Sequence, residues 1–114
     1  VEDDDLCREP HFHPESLAID LDDQALSRAA AMFKALSDVS RLKILWALAK
    51  RPCCVSELAS LSQDEISTVS QRLRILRADR LVVRRREGKH AIYSVNDHHV
   101  VEMIENAVAH AQEP

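Results

Sequence analysis

The sequence predicts a mainly α fold carrying one β-hairpin, and three observations predict it. Apolar residues recur at helical spacing through most of the chain after residue 23. The only glycine, Gly88, lies between two strand-like runs. The last helical run carries ligand-type side chains too far apart to meet within one chain, which calls for a second copy.

Length and composition bound what this fold can do. At 114 residues the chain reads as one domain with a modest core, small enough to depend on dimerisation. A 46% apolar fraction excludes wholesale disorder, and no apolar run approaches the ~18 residues of a membrane span. The N-terminus is acidic and lacks the basic-then-apolar pattern of a secretory leader, so a cytoplasmic protein with no membrane partner is expected. Three cysteines, two of them adjacent, suit reduced thiols and soft ligands better than a disulfide framework. The net charge of −4 is unevenly spread. From Gln71 to His90 eight basic residues stand against two acids, while the remainder holds seven against seventeen. A concentrated basic segment on an acidic body is the footprint of a nucleic-acid-binding element.

Residues 1–23 read as a flexible arm, with Pro10 and Pro14 bracketing a segment that no regular element accommodates easily. Residues 24–114 form the folded domain. A first helix from about Asp23 to Leu36 places Leu26, Ala29, Ala30 and Phe33 on one face. Ser37 or Asp38 breaks and recaps the chain. A second helix over 39–50 places Leu42, Leu45, Trp46 and Ala49 together, and Pro52 closes it; both are read as core helices. A short helix from Val55 to about Leu61, the polar turn Ser62-Gln63-Asp64-Glu65 and a helix from about Glu65 to Ala78 have the length and pattern of a helix-turn-helix.

That fourth helix buries Ile66, Val69, Leu73 and Leu76 on one stripe. It faces outward with Ser67, Thr68, Gln71 and Arg74, short or fork-shaped hydrogen-bonders able to reach base edges, with Arg72 beside them. Two runs, 81–86 and 89–95, then flank Glu87-Gly88 as a tight hairpin, where glycine supplies positive φ. Arg85, Arg86 and Lys89 at its tip can grip phosphates. The whole is a winged helix-turn-helix.

The final helix runs from about Asp97 to Glu113, started by Asn96 or Asp97. At ~100° per residue His99 and His110 share one face with Glu113 close by, yet eleven residues at ~1.5 Å rise separate the imidazoles by about 16 Å. Ligands of one tetrahedral ion, with ~2 Å bonds, span only ~4 Å. An antiparallel copy would bring Asp97 and His99 of one protomer against His110 and Glu113 of the other, twice per dimer. On spacing alone, an ordinary capped helix with a favourable histidine at its negative end explains the same residues.

Three stretches resolve that choice. Phe33-Lys34-Ala35-Leu36-Ser37-Asp38-Val39-Ser40-Arg41-Leu42-Lys43-Ile44-Leu45, Ser67-Thr68-Val69-Ser70-Gln71-Arg72-Leu73-Arg74-Ile75-Leu76, and Asp97-His98-His99 with His110 and Glu113 together resemble the ArsR/SmtB family of metal-responsive repressors. The likeness runs from about residue 24 to the C-terminus and more loosely through the arm. It implies a dimeric winged helix whose terminal helices pair antiparallel and hold metal. It implies also a second site between arm and third helix, formed here by Cys7, His11, Cys54 and Glu57. Cys53 departs from the commonest pattern; it could replace His11 or Glu57, or be inert. His13 is not assigned as a ligand. Gln71 stands where many relatives carry His, a change that bears on operator preference. Mixed thiolate, imidazole and carboxylate ligands suit Zn2+, and added sulfur shifts preference toward Cd2+, Pb2+ or Cu+.

The expected function is a homodimeric repressor that binds double-stranded operator DNA without metal and releases it when metal binds. A rival keeps the DNA binding but makes Cys53 and Cys54 a thiol sensor of arsenic or oxidation. A hydrolase or metal buffer is disfavoured: the terminal ligand set is closed, no phosphate-cradling loop is readable with one glycine, and a buffer needs no basic segment. The chain is read as no enzyme.

Overall fold

The computed structural model describes residues 22–114. Residues 1–21 of the arm, with Cys7, His11 and His13, lie outside the described residues, while Asp22 and Asp23 already belong to the start of the first helix. Helix α1 (Asp23–Leu36) starts at Asp22, whose carboxylate accepts from the Gln24 amide at 2.9 Å. Helix α2 (Val39–Lys50) is capped by Asp38, which accepts from Arg41 N–H at 3.0 Å. The Arg41 Nε donates in turn to Ala35 O at 2.7 Å, so one residue ties the end of α1 to the start of α2. Then follow β1 (Cys53–Cys54), α3 (Val55–Ser62), α4 (Ile66–Ala78), β2 (Val82–Glu87), β3 (His90–Val95) and α5 (His98–Ala111).

The three strands form an antiparallel sheet in the order β1-β3-β2. Strand β1 was absent from the sequence reading, because two residues carry no alternation. It exists only where Cys53 and Cys54 meet Tyr93 and Ile92 of β3. The hairpin turn lies one residue later than expected: Glu87 pairs with His90, leaving Gly88-Lys89 as the loop. Gly88 has φ +61°, and Lys89 is not among the residues of positive φ, as in a type II′ hairpin.

Side chains from α2, α3, α4, α5 and the sheet fill the core, with Leu45, Leu73, Leu76, Leu81, Ile104, Val69 and Cys53 fully buried. The end of α4 shows how the wing is aimed. Leu81 N–H donates to Leu76 O at 2.9 Å and Arg80 N–H to Arg77 O at 3.1 Å, with Arg80 at φ +61°. This is a Schellman closure whose apolar clasp, Leu76 against Leu81, is wholly buried. It turns the chain directly from the fourth helix into β2.

Two expected core faces need correction. Leu26 and Phe33 of α1 are exposed, at 49% and 61%, and only Ala35 and Leu36 of that helix are buried. In α2 the buried residues are Ile44, Leu45 and Leu48, while Trp46 stays partly exposed with the Lys50 ammonium 4.6 Å from its ring centre. Helical periodicity identifies an apolar face but not which neighbour covers it, and among the described residues nothing covers these. Ile66 is likewise half exposed, since Glu65 is the N-cap of α4 and its first turn projects past the core.

Candidate metal half-sites and nucleic-acid interface

The buried stripe Val69, Leu73 and Leu76 orients α4 and leaves its other face to solvent. Ser67, Gln71 and Arg74 are exposed there and Thr68 is half-buried. Arg72 differs from its neighbours. Its guanidinium sits 2.8 Å from Asp64, bracing α4 against the turn after α3. Arg72, and next Ser62, hold the Asp64 carboxyl below its ordinary range. In the hairpin, Arg85 and Glu87 share one strand face, and the Arg85 guanidinium bonds Glu87 at 2.8 Å. Arg86 and Lys89 are exposed at the tip.

At the front of α5, Asp97 is the N-cap, extended at φ −158° and ψ 177°. Its Oδ1 accepts from the amides of His99 at 2.9 Å and Val100 at 3.3 Å. The same oxygen lies 3.5 Å from His99 Nδ1. At the far end the helix closes at Ala111, earlier than expected, yet Glu113 N–H donates back to His110 O at 3.1 Å. That return brings Glu113 Oε1 to 3.5 Å from His110 Nδ1. Two donors on one tetrahedral ion with ~2 Å bonds stand ~3.3 Å apart, so each pair has the spacing of one edge of such a site. The imidazoles are 78% and 85% exposed and free to meet another surface. Among the described residues no group of three or more ligand-type side chains comes together. Each end offers two donors of a candidate site and no more.

His98, not singled out from the sequence as a ligand, stacks on His99 with ring centres 4.1 Å apart and reaches Glu102 at 3.9 Å. Its i,i+4 carboxylate was the available signal. Stacking restrains the His99 ring beside Asp97.

The third-helix candidates, Cys54 and Glu57, lie where β1 enters α3. Cys54 is the N-cap, and Glu57 reaches back to it as in a capping box, its Oε1 accepting from Cys54 N–H at 3.0 Å. Glu57 Oε2 takes a 2.9 Å bond from Arg51. The Cys54 amide, then Arg51, depress the Glu57 carboxyl below its ordinary range. Cys53, one residue earlier, points to the opposite side of the strand into the core, and burial pushes its thiol pKa up. The two adjacent thiols therefore do not face one ion together. Cys7 and His11 lie outside the described residues.

Residues 38–83 match the family profile described as "Bacterial regulatory protein, arsR family". The chain is 39% identical over 116 residues to the "Transcriptional repressor SmtB homolog" of Synechocystis sp., covering 95% of this chain and 85% of that protein. This chain belongs to the ArsR/SmtB family. It is 34% identical to the "Cadmium resistance transcriptional regulatory protein CadC homolog" of Staphylococcus aureus, over 96% of this chain and 93% of that one. Among solved structures it resembles the homodimeric winged helix-turn-helix DNA-binding domain Mb0332 of Mycobacterium bovis, a possible ArsR-family regulator. There the TM-score is 0.76 at 26% identity, with 92% of each chain covered.

As an ArsR/SmtB protein the chain is a DNA-binding transcriptional regulator with a winged helix-turn-helix, not an enzyme. Sequence reasoning missed its bracing residues: Arg41 across the first interhelical turn, Arg72 on Asp64 and Arg51 on Glu57. Each pair is close in sequence, but charge patterning does not say which arginine turns toward its own chain.

Proposed function

We propose that the protein is a homodimeric repressor that holds operator DNA when metal-free and releases it on binding Zn2+ or a related ion such as Cd2+, Pb2+ or Cu+. One observation carries the reading: two imidazole–carboxylate pairs, each with donors 3.5 Å apart, stand exposed at opposite ends of one helix. Neither pair closes a tetrahedral site alone. Antiparallel apposition of two α5 helices joins Asp97 and His99 to the partner's His110 and Glu113. The uncovered Leu26 and Phe33 of α1 supply apolar surface for the same association. Support comes also from relatives named for repression and cadmium resistance, and from a homodimeric neighbour.

In this reading Ser67, Thr68, Gln71 and Arg74 meet base edges, while Arg85, Arg86 and Lys89 grip phosphates. Arg72 serves by bracing the turn. Metal favours a dimer geometry whose recognition helices no longer match successive major grooves. Linkage makes the coupling reciprocal, on a scale of ~1–3 kcal/mol. Cys7, His11, Cys54 and Glu57 form a second site of softer preference. A cytoplasmic setting fits, and no described helix is long and apolar enough to cross a membrane. The vicinal-thiol alternative is less favoured, since Cys53 is buried with a raised pKa and reactive thiols need the reverse.

The test is an anisotropy titration of an operator-containing promoter fragment with each ion, on the wild-type protein and on His110→Ala. Zinc should dissociate the wild type and leave His110→Ala bound. Normal zinc release from His110→Ala, or a monomer in solution, overturns the proposal.

A further inference from the structure

We infer that Arg51 is a resident counter-cation at the third-helix site, holding the Glu57 carboxylate that an incoming ion must take over and so raising the ion concentration to which the site responds. The inference rests on the reading of Cys54 and Glu57 as ligands. It adds a residue that sets the threshold of that site.

Both carboxylate oxygens of Glu57 are already engaged: Oε1 accepts the Cys54 amide at 3.0 Å and Oε2 accepts Arg51 at 2.9 Å. The first bond belongs to the capping box and survives if that oxygen shares its second lone pair. The second places a full positive charge where a divalent cation would sit.

Arg51 is well placed for this. It is the C-cap of α2, in extended backbone, and Pro52 fixes the next turn of the chain. Its guanidinium forks, one nitrogen donating to Pro52 O at 3.1 Å and the other to Glu57. Both side chains of the ion pair are accessible, 61% and 41% exposed, so the pair is exchangeable. An exposed pair of this kind, together with repulsion of a dication, alters affinity by about three- to tenfold and does not block it.

The test is a cadmium titration of the full chain, followed by the ultraviolet sulfur-to-cadmium charge-transfer band in competition with a chelator. Arg51→Met should bind cadmium about three- to tenfold tighter than wild type. Arg51→Lys, which keeps the charge but loses the fork, should shift the same way by less, and it keeps the test available if the Met variant folds poorly. In a Glu57→Gln background the effect of Arg51→Met should shrink, because the carboxylate it competes for is gone. Unchanged or weaker cadmium binding by Arg51→Met, with a band that depends on Cys54, overturns the Arg51 role alone. A band whose intensity is undiminished by Cys54→Ser, or no band in the wild type, overturns the ligand reading and the Arg51 role with it.

Discussion

At the two ends of α5 the candidate ligand atoms are paired and exposed but about 16 Å apart along the helix, whereas at the front of α3 the candidate thiol and carboxylate are adjacent and the carboxylate is already engaged. The first group lacks a partner; the second lacks a vacancy. In the terminal helix, His99 and His110 spend little on local structure, so their imidazoles remain available to another protomer. Asp97 starts α5 as Cys54 starts α3, but only in α3 does an arginine also occupy the carboxylate. A ligand group can thus be kept open by separating its halves or held in reserve by a bond to its own chain.

The largest effect that would break this comparison comes from mixing variants. His99→Ala and His110→Ala homodimers should each lose terminal-site zinc affinity by about 100-fold or more. Exchanging their subunits should restore one intact site per mixed dimer, because one protomer still supplies Asp97 and His99 and the other His110 and Glu113. Zinc stoichiometry after exchange measures it. If mixing restores nothing, the halves do not join across subunits.

A smaller effect separates the two duties of Asp97. Asp97→Asn keeps the cap and removes the charge, so zinc affinity should fall about tenfold with little change in thermal midpoint. Asp97→Ala should lose ~1 kcal/mol of stability as well. Zinc titration and thermal denaturation of both variants check the separation.

For the α3 entrance the pH dependence should be visible. Glu57 and Asp64 have folded pKa values below their ordinary 4.5 and 3.8. Their stabilisation is therefore complete above those ordinary values and is lost as pH falls through the lowered ones. Glu57→Gln preserves the capping-box geometry, so it should flatten part of the decline in urea stability between about pH 5 and pH 3. A wild-type-like decline would mean that Glu57 is not held by Arg51 and the Cys54 amide.

The smallest effect is a control at the other end of α3. Gln63 adopts φ 58° without being glycine. Gln63→Gly should stabilise by ~0.5–1 kcal/mol in urea unfolding and leave both metal titrations unchanged.

Much of this architecture was legible in the residues. Periodicity located all five helices, and Asp38 and Asp97 cap where their side chains allow. Gly88 marked the hairpin because a two-residue turn needs positive φ, which glycine adopts without strain, whereas Gln63 and Arg80 take up positive φ at helix ends with no glycine to signal it. The turn moved by one residue because register with β3, not composition, chooses which residues loop out. Leu26, Phe33 and Trp46 misled as core residues, since an apolar face reads the same whether its own chain or another surface covers it. The eleven-residue interval between His99 and His110 was sufficient to rule out a site closed by one helix. Arg72 and Arg85 looked like free cations, yet each is turned onto an acid of its own chain.

By itself the order of residues determined what is local: where helices begin, which side chains share a face, and how far apart ligands on one helix must lie. Those follow from a fixed rise and rotation per residue. Only the tertiary structure decided that Cys53 faces the core while Cys54 faces out, that Arg51 lies on Glu57, and that Leu81 locks the wing to α4. These depend on β3 passing beside a two-residue strand and on which neighbour each side chain meets, relations that spacing along one chain does not encode.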